Sequence, residues 1–167
     1  LGPKYNKRQT INKIKQTGIY DKQLGIYKTC ADIDDEPFEI GRIHAFTKGW
    51  LERECNFLHM TYKYLLGLLK SGFVQEFYAE AEKNFVYLMD PHIYGRSPSE
   101  NSSFIVPTCN PDKSNHGRGF FARLTGANAE MINIYTLMFF GDHLFSEQNG
   151  VLSFRLNPKI DKKLFNR

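Results

Sequence analysis

The sequence predicts a mainly α protein with two helix layers and a short β segment at its C-terminal end. Three observations carry that prediction. Residues 57–70 and 126–140 are apolar around most of their girth, which suits helices buried on all sides. Residues 73–88 place Phe73, Phe77, Ala81 and Phe85 on one stripe, with Glu76, Glu80, Glu82 and Lys83 facing away, which suits a helix with one wet side. Asn149-Gly150, between Leu144-Phe145 and residues 151–156, is a strong β-hairpin signal. Two enclosed helices and one amphipathic helix fit concentric layers, and a plain helical bundle has the same periodicity.

In chain order, residues 1–18 are polar and basic with little periodicity. Residues 19–46 carry short apolar pairs (Ile19-Tyr20, Ile26-Tyr27) broken by Gly25, an acidic run at 32–36 and Pro37, and read as loops with short strands. Ser71-Gly72 stops the first long helix, because glycine tolerates the left-handed conformation that closes a helix. Residues 89–118 form a long segment rich in Pro, Ser, Asn and Gly, a length that usually lines a functional site. Gly141 ends the third helix and Pro158 closes the last strand. The resulting organisation is an irregular N-terminal segment at 1–45, a helical portion at 46–141 and a hairpin with tail at 142–167.

Composition narrows the function classes. With 41% hydrophobic and 14% aromatic residues, the composition argues against disorder. The net charge of +4 is modest and its excess sits near the ends, at Lys4, Lys7, Arg8, Lys13 and Lys15, then Lys159, Lys162, Lys163 and Arg167. Such ends read as solvated tails rather than a nucleic-acid surface. Cys30, Cys55 and Cys109 are odd in number and lack CxxC spacing. They predict free thiols in a reducing cytoplasm, with no disulfide framework and no metal site. No run approaches the roughly 18 apolar residues of a membrane span.

Two helix starts carry the chemistry. The run Leu124-Thr125-Gly126-Ala127-Asn128-Ala129-Glu130 offers a capping hydroxyl, small residues and unpaired N–H groups at the positive end of a helix, which suits an anion. An ordinary helix cap with close packing reads the same way. His59 stands at the start of the first long helix, after Glu52-Arg53-Glu54, and offers an imidazole; a hydrogen-bonded core histidine is the plainer reading. Arg53 is expected to pair locally with Glu52 or Glu54. The loop from Tyr94 to Phe104, with Arg96, Glu100 and Asn101, is dense in groups that bond hydroxyls, and its residue types also build turns. Arg118 and Arg123 would add positive potential beside Thr125. Glu39, Glu52, Glu100 and Glu130 are too scattered for a spacing argument toward paired-carboxylate hydrolysis.

These residues resemble a known family. Residues 39–165 are similar to the C-terminal part of the inverting β-glycoside phosphorylases, the cellobiose-phosphorylase family (glycoside hydrolase family 94). That family carries Glu-Asn-Gly-x-x-Phe-x-His on an inner helix; here Glu52, Phe57 and His59 stand at the matching positions, with Arg53 and Glu54 in place of Asn and Gly. Its phosphate-binding Thr-Gly is matched by Thr125-Gly126, followed by Ala127-x-Ala129-Glu130. Its ending, Gly-(x)n-Gly-Leu-x-(Ile/Leu)-x-Pro, is similar to Gly141 … Gly150-Val151-Leu152-Ser153-Phe154-Arg155-Leu156-Asn157-Pro158. The loop from Tyr94 to Phe104 looks like that of the longer members of the family, which include β-1,2-oligoglucan phosphorylases.

The resemblance implies a portion of an (α/α)6 barrel followed by the β-hairpin. It implies phosphorolysis of β-glucosides or β-oligoglucans to a sugar 1-phosphate, in which phosphate is co-substrate and no cofactor is needed. Phosphate would be held by His59, Thr125 and Gly126, and sugar by Glu52, Arg53, Arg96, Glu100 and Asn101. The family's acid Asp has no match here, so the chain alone is expected to be inactive and to depend on the rest of the polypeptide or a companion chain, with a homodimer possible. A barrel hydrolase piece using two carboxylates, or a non-catalytic carbohydrate-binding or scaffold piece, are the alternatives.

Overall fold

The computed structural model describes residues 7–121 and 125–165, of Thr125 and Phe165 the backbone alone. The fold is mainly α. Its helices are α1 (Lys7–Ile14), α2 (Leu58–Lys70), α3 (Val74–Asn84), the one-turn α4 (Pro91–Tyr94) and α5 (Thr125–Phe139). The strands are short and antiparallel: β1 (Tyr20–Asp21) with β2 (Ile26–Tyr27); β3 (Asn56–Phe57), β4 (Phe104–Ile105) and β5 (Gly119–Phe120) in that order; and β6 (Phe145–Gln148) with β7 (Val151–Phe154). Among the described residues no helix is long and apolar enough to cross a membrane.

The core forms around α2, which buries Leu58, Tyr62, Leu65, Leu66, Leu68 and Leu69. α3 packs Phe77 and Ala81 on one side of it, and Phe85 follows into the same core. α5 adds Ala127, Ile134, Leu137 and Met138. Ile26 from β2 belongs to this core, with Leu24 and Ile11 packed at its margin. Gly72, at φ +80°, turns the chain out of α2, and Phe73 N–H bonds back to the Leu68 carbonyl at 3.0 Å.

Four expectations need correction. Neither long apolar helix is enclosed: α2 leaves Met60, Lys63, Gly67 and Lys70 exposed along one side, and α5 leaves Ile132 65% and Phe139 50% exposed, because the described chain packs one side of each. Glu80 does not face water but is 1% exposed, where it accepts from Tyr27 Oη at 2.8 Å and pairs with Lys15. The segment 89–118 is not one loop, since it contains α4 and β4, with β5 directly after it. The basic ends are partly tied down, and Lys4 and Arg167 lie outside the described residues. Arg8 pairs with Glu76 at 2.7 Å, and Lys159 pairs with Asp142 at 2.6 Å while donating to the Leu69 carbonyl at 3.2 Å, near the negative end of α2.

The C-terminal hairpin is as expected. Asn149 and Gly150 take φ +55° and +78°, the two positive values a tight I′ turn needs. All eight strand residues are exposed, and Phe145 lies 5.4 Å from its cross-strand partner Phe154.

Burial shifts several tyrosines and thiols in one direction. Tyr62, Tyr94 and Cys55 are raised above their ordinary values by desolvation, and the Cys109 thiol is pushed from 9.0 up to about 11. Unfolded, thiols ionise near 9.0 and tyrosines near 10.0, while the folded chain keeps them protonated. The native state therefore binds more protons above those values, and the stability it gains is complete below pH 9 and lost as pH rises. Tm followed by circular dichroism is expected to change little from these groups below pH 9 and to fall steadily from pH 9 to 11. A Tm rising over that window would contradict the assignment.

Candidate functional site

The small sheet β3–β4–β5 decides where two helices begin. β3 runs directly into α2, and β5 leads toward α5. Both flank β4 antiparallel, with Phe57 opposite Phe104 and Phe104 opposite Phe120. β3 and β5 are therefore parallel to each other, and both end at the same edge of the sheet. Strand neighbours lie about 4.8 Å apart, so these ends are about 10 Å apart, the separation at which two helices pack. The ladder continues past the strands: Leu58 N–H bonds the Ser103 carbonyl at 3.2 Å, and Ser103 N–H and Oγ both donate to Phe121 O, at 2.6 and 2.8 Å.

As a result His59, second residue of α2, meets Gly126, second residue of α5. A Cβ built on Gly126 would stand 3.5 Å from His59 Cβ and 3.8 Å from its Cγ. That is ordinary contact, so packing alone does not demand glycine here; the missing methyl leaves the helix-start backbone open to approach. His59 Nδ1 is buried and has no hydrogen-bond partner among the described residues. A buried polar atom without a partner is costly, and a ligand oxygen is one way to satisfy it. The first N–H groups of α5 lack intrahelical partners and carry the positive end of its dipole. The Thr125 hydroxyl and Arg123 lie outside the described residues.

The residues expected to touch sugar are held by internal partners. Glu52 pairs with Arg42, its Oε2 accepting from Nε at 3.1 Å. Arg53 does not pair with its neighbours: it reaches Asp34 and donates to the Phe46 carbonyl at 3.2 Å, because the turn before β3 points its side chain back toward 34–46. Glu54 is buried against Lys28 at 2.6 Å. Arg96 pairs with Glu100 at 3.1 Å, within a loop anchored by buried Tyr94, whose hydroxyl donates to the Glu100 carbonyl at 2.7 Å. Arg118 is exposed and lies over Gly95, within 3.1 Å of where its Cβ would stand.

Asn101 is the loop residue that reaches the helix starts. Its Oδ1 accepts from Tyr62 Oη at 2.8 Å, and its Nδ2 donates to Asn128 Oδ1 at 2.5 Å. Beside it lies a hollow of about 240 Å³ lined by Val86, Tyr87, Pro98, Ser99, Asn101 and Met131. Sequence reasoning missed Tyr62 and Asn128. Asn128 was visible as a polar residue in the first turn of α5, whereas a buried tyrosine in an apolar helix gives no such signal. Among the described residues, no group of three or more His, Cys, Asp or Glu side chains is arranged to hold a metal ion.

No protein-family model matches the chain, and no curated protein matches it.

Proposed function

We propose that this chain is the C-terminal part of the catalytic domain of a glycoside phosphorylase, and that it supplies the seat for inorganic phosphate. The observation that carries the reading is the meeting of His59 and Gly126 at the starts of two packed helices, with His59 Nδ1 buried and without a partner among the described residues. A second residue supports it. Glu54 takes φ +57°, a conformation that favours glycine, at the position where the resembling motif has Gly. The exposed apolar side of α5, at Ile132 and Phe139, fits an inner helix of an (α/α)6 barrel whose remaining helices lie outside this chain. Free Cys30, Cys55 and Cys109 suit a reducing cytoplasm.

In this reading His59 donates from its ring N–H to one phosphate oxygen, and the backbone N–H groups at Gly126 hold another. A third oxygen of the phosphate attacks the anomeric carbon of a β-glucoside from the face opposite the leaving sugar. The C1–O bond breaks, and a carboxylic acid from polypeptide outside this chain protonates the departing oxygen. Phosphate is already a competent nucleophile, so no general base is needed. The seat acts by positioning the nucleophile and countering its charge in a confined site.

The test is product analysis with a β-1,2-oligoglucan and orthophosphate. The chain alone is expected to give no sugar 1-phosphate, and the chain joined to the polypeptide that precedes it is expected to give it only when phosphate is present. Free reducing sugar without phosphate would replace phosphorolysis by hydrolysis, and robust turnover by the chain alone would end the argument for an outside acid.

A further inference from the structure

We propose that Asn101 is a positioning residue that locks the two halves of the phosphate seat together, and that it makes no sugar contact of its own. The inference rests on the reading of His59 and Gly126 as that seat.

The geometry behind it is a three-residue bridge. Tyr62 stands three residues after His59 on α2, so the two side chains share one helix face. Asn128 stands two residues after Gly126, in the same first turn of α5. The Asn101 amide lies between them and joins both, accepting from Tyr62 Oη at 2.8 Å and donating to Asn128 Oδ1 at 2.5 Å. Its Nδ2 also lies 3.8 Å from Met131 Sδ, one turn further along α5. An amide suits this place because it accepts at one end and donates at the other. Both ends of the amide are turned toward the two helices, its N–H groups to Asn128 Oδ1 and Met131 Sδ and its oxygen to Tyr62 Oη. The helices themselves pack through apolar side chains, which resist separation but tolerate small slides. The directional bonds through Asn101 fix the slide and rotation of α5 against α2, and so the distance from the imidazole to the helix-start N–H groups.

The experiment compares Asn101→Ala, Asn128→Ala and the double variant with the native chain. Asn128 is exposed, so its replacement leaves the core untouched. Calorimetry with inorganic phosphate is expected to give about tenfold weaker binding for each single variant, and no further loss in the double variant, because both remove the same bridge. The His59 ring resonances, recorded by NMR without phosphate, are expected to move in both single variants. Unchanged phosphate affinity with a lowered Tm would make Asn101 structural only and overturn the proposal. Additive losses in the double variant would overturn it as well. If the native chain binds no phosphate, the reading of the seat fails; the bridge is then judged on the His59 resonances, and it fails too if they stay in place.

Discussion

Replacing His59 with glutamine is expected to weaken the binding of inorganic phosphate by about ten- to hundredfold without unfolding the chain. The estimate follows from one hydrogen bond to a charged ligand, about 1.5–3 kcal/mol, at 1.4 kcal/mol per decade. His59 lies in the first turn of α2 and is only partly buried, so the long helix and its leucine core stay intact. Glutamine retains an N–H donor on a flexible arm, and His59→Ala removes the donor entirely; alanine is expected to lie at the far end of the range. Isothermal titration with phosphate, with circular dichroism as the fold control, measures both. An affinity equal to that of the native chain in the alanine variant would remove His59 from the proposed seat.

Replacing Lys28 with methionine is expected to destabilise the fold by about 3–5 kcal/mol, the usual consequence of leaving a buried charge without its partner. The Glu54 side chain is 2% exposed and Lys28 11%, with Nζ 2.6 Å from Oε1. No second cation is bonded to Glu54 in the described structure, and its Oε2 is already buried without a partner. Introducing Glu54→Gly into the Lys28→Met background is expected to recover most of the loss. It removes the stranded carboxylate and places glycine at φ +57°, where a side chain is strained. Urea denaturation checks both steps through the midpoint at constant m. A double variant no more stable than Lys28→Met would mean that the loss came from packing around the lysine stem and not from the stranded charge.

The elements differed in how far they could be read in advance. α2 was legible because a run of leucines with a Ser-Gly stop is a local signal. The β6–β7 hairpin was legible because Asn149 and Gly150 accept positive φ where most residues resist it. α1 was not legible: Ile11 and Ile14 are its only apolar residues, too few to mark a stripe. The strands β3, β4 and β5 are two residues each, too short for an alternating pattern to declare itself. The same holds within the site. His59 and Gly126 stand out by residue type, yet local spacing pairs Arg53 with Glu52 or Glu54, and it reaches Asp34 instead, nineteen positions back. Asn101 was assigned to sugar, and its observed partners are Tyr62 and Asn128 on two different helices.

The sequence by itself determined the long helices, the hairpin turn and the two helix starts where the phosphate seat is proposed. Each of those depends on residues within a turn or two of one another. Tertiary structure decided that the two starts meet, through strand pairings that join residue 57 to 104 and 104 to 120, and it decided which polar side chains are spent on holding them there. Hydrogen bonds between distant segments form only when the whole chain has collapsed around a shared core, so no local pattern could have announced them.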